Sequence, residues 1–452
     1  MTQSNLTVID SQAIPMGFKK TELGFIPEDW QVYKLSEIIK SIQLGGNYPN
    51  SQNEKGCPLI KMGNLNRGSI NLDKIEFIQG DCSKRDELSY GDLLFNTRNT
   101  PELVGKVAIW RNELPVAYFN SNIMRIKFRD ELVSNNFYIN YVMNTKQFID
   151  SLGLIATGTT SVAAIYTRDL LNLNLVLPPY KEQEKIATAL SDTDALISEL
   201  EKLIEKKQAI KTATMQQLLT GKTRLPEFAL RDDGTPKTYK DSELGQIPED
   251  WDAFEINEVV ENIIDYRGRT PKKLGMDWGG GNIVALSAGN VRKGYIDFGA
   301  ECYLGSELLY KKWMCNGEAQ KDDIAFTMEA PLGNVALIPD HSKYILSQRT
   351  ILLQINRQEF DPHFIFHLLM SNEFEKYISD QATGSTAQGV KRSLFEKLKL
   401  VLPIKLSEQK SISQILDDFD FEIEKLKQKL KKLQLIKQGM MQELLTGKTR
   451  LV

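Results

Sequence analysis

TELGFIPEDWQVYKLSEI, at residues 21–38, returns as SELGQIPEDWDAFEINEV at 242–259, about 221 residues later. LLTGKTRL, at 218–225, occurs again without change at 444–451. Agreement this long does not arise by chance, and a fixed internal period is the sequence mark of a duplicated structural unit. The chain is therefore predicted to contain two copies of one unit, related by a pseudo-twofold repeat.

The parts between these repeated segments agree in outline but differ in residues. The matched pairs are IKMGNLNRG (60–68) with LSAGNVRKG (286–294), GDLLFNTRN (91–99) with DDIAFTMEA (322–330), and TGTTS (157–161) with TGSTA (383–387). We call the repeated opening and closing segments the frame. A repeated frame with diverged residues between its segments is what we expect of a protein that binds two different targets.

Each copy ends in a long predicted helix. No proline or glycine occurs between Glu182 and Thr220, and apolar residues recur at alternating spacings of three and four, as in a coiled-coil heptad. The predicted interface residues are Leu190, Ile197, Leu200 and Ile204 in the first copy and Leu416, Phe419, Ile423, Leu426, Leu430 and Leu433 in the second. Gly221 and Gly447 are predicted left-handed residues just after the helices, and Ser407 is the predicted N-cap of the second.

The charges of the two helices differ, with acidic residues prominent in the first and lysines in the second. This difference favours one antiparallel intrachain pair over self-pairing. The alternative is two separate solvated helices. A helix of about 40 residues is roughly 60 Å long, so the pair would hold two globular domains apart by a fixed distance.

The predicted fold class is mixed α/β. Strands are predicted at 58–62, 93–96, 106–110 and 122–128, and helices at 137–152 and from Asp361-Pro362 to about 379. The predicted organisation is an N-terminal extension (1–20), a first globular domain (21–178), a first spacer helix (179–225), a linker (226–241), a second globular domain (242–403) and a second spacer helix (404–452).

The composition of the 452 residues is that of an ordinary globular protein, with 41% hydrophobic and 25% charged residues. We expect a cytoplasmic protein, because no apolar run reaches the ~18 residues of a membrane span and the N-terminus does not resemble a signal peptide. The four scattered cysteines are expected to be free thiols. A net charge of -3 is unusual for a protein that binds DNA alone, which suggests that a partner shares the phosphate contacts.

Polar and basic residues cluster in the predicted loops of both domains. Arginine pairs with guanine and asparagine or glutamine with adenine in the major groove, so these loops are candidates for binding DNA. The candidate residues are Asn64, Arg67, Arg98, Asn99, Thr159 and Thr160 in the first domain and Arg267, Arg269, Thr270, Lys272, Lys273, Asn290, Arg292, Gln348, Arg349, Ser385 and Thr386 in the second.

Three motifs that could indicate catalysis are incomplete. The GKT of LLTGKTRL lacks the first glycine of a phosphate-binding loop, since Gln216 stands there. LPPYK (177–181) has Leu177 where an amino-methyltransferase loop needs a polar residue, and His363 and His367 lack the glutamate of a HExxH zinc site. We therefore predict no catalytic residue and no metal site in this chain.

Taken together, the duplicated [S/T]ELGxIPEDW opening, DYRGRTPKK (265–273), GDLLF (91–95) and the spacers ending in LLTGKTRL resemble the specificity subunit of type I restriction–modification systems. The resemblance covers about 21 to 452, although LGGNYPNSQ (44–52) lacks the RGRTPKK pattern. It implies two target-recognition domains that read a bipartite, asymmetric site in double-stranded DNA.

The same resemblance implies that the helices dock two methyltransferase subunits, and that restriction/translocase subunits join them. S-adenosylmethionine and ATP with Mg²⁺ are then expected on those partners and no cofactor on this chain. Two other hypotheses remain: a diverged DNA methyltransferase or nuclease with its own catalytic site, and a coiled-coil interaction protein with no nucleic-acid role.

Overall fold

The fold is described from a computed structural model covering residues 14–159, 161–382 and 388–452. The chain divides into two compact units. The first comprises residues up to Glu201 together with Lys429–Val452, and the second comprises Lys202–Gln428. Each unit is mixed α/β, as predicted from the sequence. None of the described helices combines the length and apolar character needed to span a membrane.

The first unit is built from short strands, four short helices and parts of two long helices. Its strands are β1 (Phe18–Thr21), β2 (Gly24–Pro27), β3 (Gln31–Lys34), β4 (Ile39–Leu44), β5 (Asn50–Ser51), β6 (Cys57–Ile60), β7 (Glu76–Ile78), β8 (Leu93–Asn96), β9 (Arg98–Asn99), β10 (Val107–Ile109), β11 (Tyr118–Phe119), β12 (Ile123–Phe128), β13 (Thr157–Gly158), β14 (Ala163–Ala164) and β15 (Asn174–Leu177). Its short helices are α1 (Leu35–Ile38), α2 (Asn136–Met143), α3 (Lys146–Ile155) and α4 (Thr167–Leu170), and the long helix α5 (Tyr180–Leu218) starts here.

The central sheet of the first unit has strand order β10-β8-β12-β4 and is antiparallel. All four residues of β8 are buried. Leu93 and Phe95 contribute to a core with Tyr138, while Leu94 joins a separate core with Trp110 and Phe119. A strand covered on both faces has no solvent side, which explains why GDLLF is a continuous apolar run instead of an alternating one.

The second unit repeats this architecture. Its strands are β16 (Tyr239–Ser242), β17 (Gly245–Pro248), β18 (Trp251–Glu255), β19 (Val260–Asp265), β20 (Ile283–Leu286), β21 (Leu304–Gly305), β22 (Ile324–Thr327), β23 (Val335–Leu337), β24 (Tyr344–Leu346), β25 (Thr350–Ile355) and β26 (Lys399–Pro403). Its helices are α6 (Pro226–Ala229), α7 (Ile256–Val259), α8 (Glu307–Trp313), α9 (Pro362–Leu369), α10 (Asn372–Asp380) and α11 (Arg392–Phe395), and the long helix α12 (Leu406–Leu444) starts here. The central sheet has strand order β23-β22-β25-β19.

Sheet register gives the equivalence of the two units residue by residue. In the first unit, Met124 of β12 pairs with Leu44 and Phe95. In the second, Ile351 of β25 pairs with Asp265 and Phe326. Phe95 of β8 is therefore the counterpart of Phe326 of β22, in agreement with the alignment of GDLLF with DDIAF. The duplication predicted from the sequence extends to strand register.

Segments of α5 and α12 lie side by side and antiparallel within each unit. In the first unit, Asp194 is 2.5 Å from Lys437. In the second unit, Lys207 is 2.9 Å from Glu422 and Lys211 is 2.5 Å from Asp420, so the partner number falls as the α5 number rises. In the ion pair of the first unit, the acidic residue lies on α5, as the charge difference between the two helices predicted. In the two ion pairs of the second unit, the acidic residues lie on α12, which is the reverse of that prediction.

The predicted coiled-coil residues are the less exposed positions of both helices. Those that are buried are Leu190, Leu200, Ile204, Leu416 and Ile423, and those of intermediate exposure are Ile197, Phe419, Leu426, Leu430 and Leu433. Their periodic burial agrees with the predicted seam.

An arginine that follows α12 binds the IPEDW segment near the start of the first unit. Gly447 is left-handed (φ 70°), as predicted, and turns the chain toward IPEDW. The Arg450 guanidinium then donates to Asp29 at 2.7 and 3.0 Å and to Glu182 at 2.7 and 2.8 Å, and it lies 5.7 Å from the Trp30 ring centre. We call this the Arg450 clasp.

The second unit contains the same arrangement at the end of α5. Gly221 is left-handed (φ 68°), and the Arg224 guanidinium donates to Asp250 at 2.8 and 3.0 Å and to Glu408 at 2.8 Å on two nitrogens. It lies 5.6 Å from the Trp251 ring centre. This Arg224 clasp explains why GKTR and IPEDW are repeated together, since each supplies one side of the same contact.

Several element boundaries differ from the sequence-based expectation. The helix predicted at 137–152 is two helices, because Thr145 caps α3 by accepting from the Phe148 backbone N–H. The helix predicted from Asp361-Pro362 to about 379 is also two helices, because Ser371 caps α10 by accepting from the Phe374 backbone N–H. Ser407 is not an N-cap but lies inside the first turn of α12. The 226–241 linker is ordered: it contains α6, and Arg231 donates to Glu249 at 2.5 and 2.8 Å.

In the second unit, two histidines attach α9 to α12. His363 Nδ1 and His367 Nε2 each lie 2.7 Å from one carboxylate oxygen of Asp417. The Asp417 carboxylate raises the pKa of His363 above its ordinary value, against the lowering effect of burial. In the first unit, the contact between α2 and α5 is made by the Tyr141 hydroxyl, which donates to Asp194 at 2.6 Å.

We expect the stability that the His363–Asp417 contact contributes to the second unit to fall as pH rises from about 6.5 into the alkaline range, because the pKa of His363 is raised in the folded state. A histidine with a raised folded-state pKa contributes stability that is complete below its unfolded pKa of about 6.5 and is lost as pH rises through the folded value. His363→Gln should lower the free energy of unfolding by about 1 kcal/mol at the acidic end and by little at the alkaline end.

Urea unfolding across this pH range, followed by tryptophan fluorescence, measures the effect. Tyr141→Phe in the first unit is the matched control and should leave the pH dependence unchanged. The same slope in wild type and His363→Gln would contradict the assignment.

Candidate nucleic-acid interface

In the first unit, the segment after β8 presents one exposed cation. The Asn96 side chain is buried, and its Oδ1 accepts from the Arg98 backbone N–H at 3.0 Å. Thr97 donates through its hydroxyl to the Asn122 carbonyl oxygen at 3.0 Å. These bonds fix the turn, while the Arg98 side chain stays exposed. Arg98 and Asn99 form β9, which pairs with β14.

Two further cations, Arg67 and Lys106, lie close together on the same unit. The Gly68 N–H donates to the Val107 carbonyl at 2.7 Å, which brings Arg67 beside Lys106. Burial lowers the pKa of Arg67, and burial together with the charge of Arg67 lowers the pKa of Lys106. Over the described residues neither side chain forms an ion pair, so both charges are available to a phosphate group. Sequence reasoning did not identify Lys106, because it lies at the start of a predicted strand.

Asn64 and Asn290 do not meet the prediction that they address bases. Both are buried, with 4% and 0% of their surface exposed. The Asn64 Oδ1 accepts from the Lys61 N–H, and its amide donates to two backbone carbonyls. Asn290 bonds its own turn in the same way, accepting from Ser287 and donating to Ala285. These asparagines are structural residues. The presence of asparagine at this position in both repeats was the sequence signal for that structural role.

Both arginines of DYRGRTPKK are also held by their own unit. Arg267 donates to Asp265 from Nε at 3.0 and 3.2 Å and from Nη2 at 2.7 Å. Burial raises the pKa of Asp265, but the bonds from Arg267 outweigh it and the pKa is lowered. Arg269 donates to the Trp313 carbonyl at 2.6 Å and lies 4.7 Å from the Tyr266 ring centre. Both are less free to contact DNA than the sequence indicated.

The remaining candidates of this segment have polar groups closer to solvent. Lys272 and Lys273 are exposed, and Lys273 donates to the Gly268 carbonyl at 2.7 Å. Thr270 is partly exposed and precedes the short turn that carries both lysines.

Three further candidates lie near turns of the second unit. Gln348 and Arg349 are exposed, and Arg349 has a left-handed backbone (φ 64°) and donates to the Ala330 carbonyl at 3.2 Å. Arg292 lies 3.6 Å from Asp297.

The hydroxyl-rich loops are only partly described. Thr159 is exposed, with its hydroxyl 3.3 Å from that of Ser161. Thr160, Ser385 and Thr386 lie outside the described residues. The structure thus places the described candidates in several separate segments of each unit.

An open cleft of about 390 Å³ in the second unit contains residues that sequence reasoning missed. It is lined by Arg267, Met328, Glu329, Gly389, Val390, Lys391 and Arg392. The alignment of GDLLFNTRN with DDIAFTMEA places Glu329 opposite Arg98, and that alignment could have identified it.

The segment that resembles a methyltransferase loop is part of the frame. Leu177 is the last residue of β15, is 3% exposed and pairs with Gln31 of β3. Leu177 has no polar group and is buried in this strand, so it does not supply the polar side chain that such a loop needs.

Comparison with known proteins gives consistent results. The family described as "Type I restriction modification DNA specificity domain" matches residues 27–212 and 248–435. The type I restriction enzyme MjaX specificity subunit of Methanocaldococcus jannaschii is 28% identical over 438 residues, which is 96% of each chain. The MjaVIII specificity subunit of the same organism is 26% identical over 445 residues, again 96% of each chain.

The crystal structure of a type I restriction–modification S subunit from M. genitalium has a similar fold, with a TM-score of 0.59 at 14% identity over 92% of this chain and 96% of that one. The family matches together cover most of this chain and coincide with its two repeats. The chain therefore belongs to the type I restriction–modification DNA specificity family, with one copy of the domain in each repeat.

Proposed function

We propose that this chain is the sequence-specific DNA-binding subunit of a type I restriction–modification complex. Each unit reads one half of a bipartite, asymmetric site in double-stranded DNA. The observation that carries the proposal is the presence of two complete specificity domains whose frames agree in register while their exposed loop residues differ. Identical readers would give a symmetric site, and unlike loops in equal frames give two different half-sites.

The long helices are proposed to dock two methyltransferase subunits. Besides the seam between them, they carry exposed apolar side chains in both units. These are Leu196, Leu435 and Ile436 in the first unit and Leu203, Ile210 and Phe421 in the second. Exposed large apolar residues on a helix favour a protein partner, and one set in each unit suits two copies of one partner.

The chemistry is proposed to reside on those partners. The methyltransferase subunits would bind S-adenosylmethionine and modify adenine, and the restriction/translocase subunits would bind ATP with Mg²⁺. This division is supported by the position of Leu177 in a buried strand, where the methyltransferase loop would need an exposed polar residue.

The test is to map methylated adenines in cells that carry this chain with the methyltransferase subunits of its own system. The expected result is one bipartite site with a fixed gap, methylated only when both proteins are present. Methylation or cleavage by the purified chain alone would favour the enzyme hypothesis. Failure of the assembled proteins to bind or mark any DNA site would contradict the proposal.

A further inference from the structure

The two units carry opposite charges at one equivalent exposed position. Because Phe95 is the counterpart of Phe326, the residue three places beyond each is Arg98 in the first unit and Glu329 in the second. Arg98 pairs with Ala164 of β14, and Glu329 forms a bridge with Gly389. Each residue therefore pairs with the segment that follows the aligned sequence TGTTS (157–161) or TGSTA (383–387).

The backbone around Glu329 is held from two sides. The Met328 N–H donates to the Arg349 carbonyl at 2.8 Å, and the Val390 N–H donates to the Met328 carbonyl at 3.2 Å. A side chain at Gly389 would approach the Glu329 Cβ to 3.3 Å, so glycine permits the close contact of the two segments. The Glu329 side chain extends from a fixed backbone and keeps 47% of its surface exposed.

The surroundings of Glu329 are positively charged. Arg267, Lys391 and Arg392 line the same open cleft. Arg267 lies 4.0 Å from Glu329, but it already shares two oxygens with Asp265 at 2.7 to 3.2 Å. Arg392 is bonded to Glu396 at 2.6 Å. Each arginine is bonded more closely to another carboxylate, so neither depends on Glu329 for its neutralisation, although Arg267 and Glu329 form a long ion pair at 4.0 Å.

A carboxylate on a DNA-facing surface repels phosphate, and it is useful there when it accepts a hydrogen bond from a base. The cytosine N4 amino group is the major-groove donor that glutamate recognises, whereas arginine recognises guanine O6 and N7. We propose that Glu329 is a specificity-determining residue of the second domain that accepts from the amino group of a cytosine, and that Arg98 reads a guanine at the equivalent place in the first. This inference rests on the proposed function and names two of its base contacts.

The experiment compares Glu329→Gln and Arg98→Gln in the full chain, with its methyltransferase subunits, by mapping methylated adenines. Glu329→Gln is expected to reduce the preference for cytosine at one position of one half-site by about tenfold or more, with the other half-site unchanged. Arg98→Gln is expected to do the same for a guanine in the other half-site. The charge-matched control is Glu307→Gln, because Glu307 is 51% exposed and pairs with Lys343 on the same unit. That variant should leave both half-sites unchanged.

Glu329→Asp keeps the charge but withdraws the carboxylate by one methylene, and it too should lose the cytosine preference. Weaker methylation by Glu329→Gln with both half-site sequences intact would overturn the inference and assign Glu329 to the Arg267 contact. If Glu329→Gln folds poorly in thermal unfolding, an unchanged site with Glu329→Asp would overturn it equally. Absence of any bipartite site in the wild type would instead count against the proposed function.

Discussion

Replacing Arg224 by alanine is expected to lower the free energy of unfolding of the second unit by about 3–5 kcal/mol, the usual cost of removing one partner of a buried ion pair. The Arg224 side chain is 9% exposed and Glu408 only 1%. Without the guanidinium, the Glu408 carboxylate would remain buried with its charge uncompensated. In the wild type, bonds from Arg224 and Lys237 outweigh the raising effect of burial and hold the pKa of Asp250 at about 2, so Asp250 also loses part of its stabilisation when Arg224 is removed.

Thermal and urea unfolding of the full chain measure this loss. Arg231→Ala is the matched control, since Arg231 also bonds a carboxylate with two nitrogens, but at the surface, where ion pairs contribute little. Arg224→Lys keeps the charge, loses the planar fork and should fall between the two. An effect of Arg224→Ala no greater than that of Arg231→Ala would show that the clasp does not stabilise the unit.

Exchanging residues 21–178 for the corresponding segment of a relative with a different target should replace one half-site and leave the other unchanged. Specific sites are typically preferred over non-specific DNA by at least about a thousandfold, so methylation at the original site should fall to background. The chosen segment contains both strands of the β3–β15 pair, which keeps their register intact in the chimaera. Mapping methylated adenines measures the change.

The donor segment must preserve the acidic and tryptophan positions of Asp29 and Trp30, because Arg450 and Glu182 remain with the host chain. The reciprocal exchange of 242–403 is the control and should alter only the other half-site. A change in both half-sites from either exchange would contradict the assignment of one reader to each unit.

The duplicated frame could be predicted from the sequence because identical segments face the same contacts in both units. Strand β8 agrees with its predicted bounds, and Gly221 and Gly447 have the predicted left-handed backbone. The break between α2 and α3 was not predicted, because apolar periodicity continues across it. The Thr145 cap that starts α3 is accompanied by a contact distant in sequence, because the preceding Asn144 amide donates to the Val107 carbonyl on β10.

The interface was less predictable than the frame. Residue type suggested Asn64 and Arg98 equally, yet one closes a turn and the other faces solvent. Burial depends on which loops fold together, and one sequence does not contain that information directly. Glu329 was not predicted because a surface that binds phosphate is expected to carry basic residues, and a carboxylate repels phosphate. Comparing the repeats position by position distinguishes structural residues from interface residues. Structural residues agree, as Asn64 and Asn290 do, whereas Glu329 does not match Arg98.

The Arg450 clasp has a consequence for the order in which the protein acquires its structure during synthesis. The second unit is one continuous stretch, Lys202–Gln428, whereas the first also requires Lys429–Val452. The domain translated first must therefore wait for the last helix to leave the ribosome before Glu182 and Asp29 gain their guanidinium. We therefore expect the first unit to complete its folding after the second.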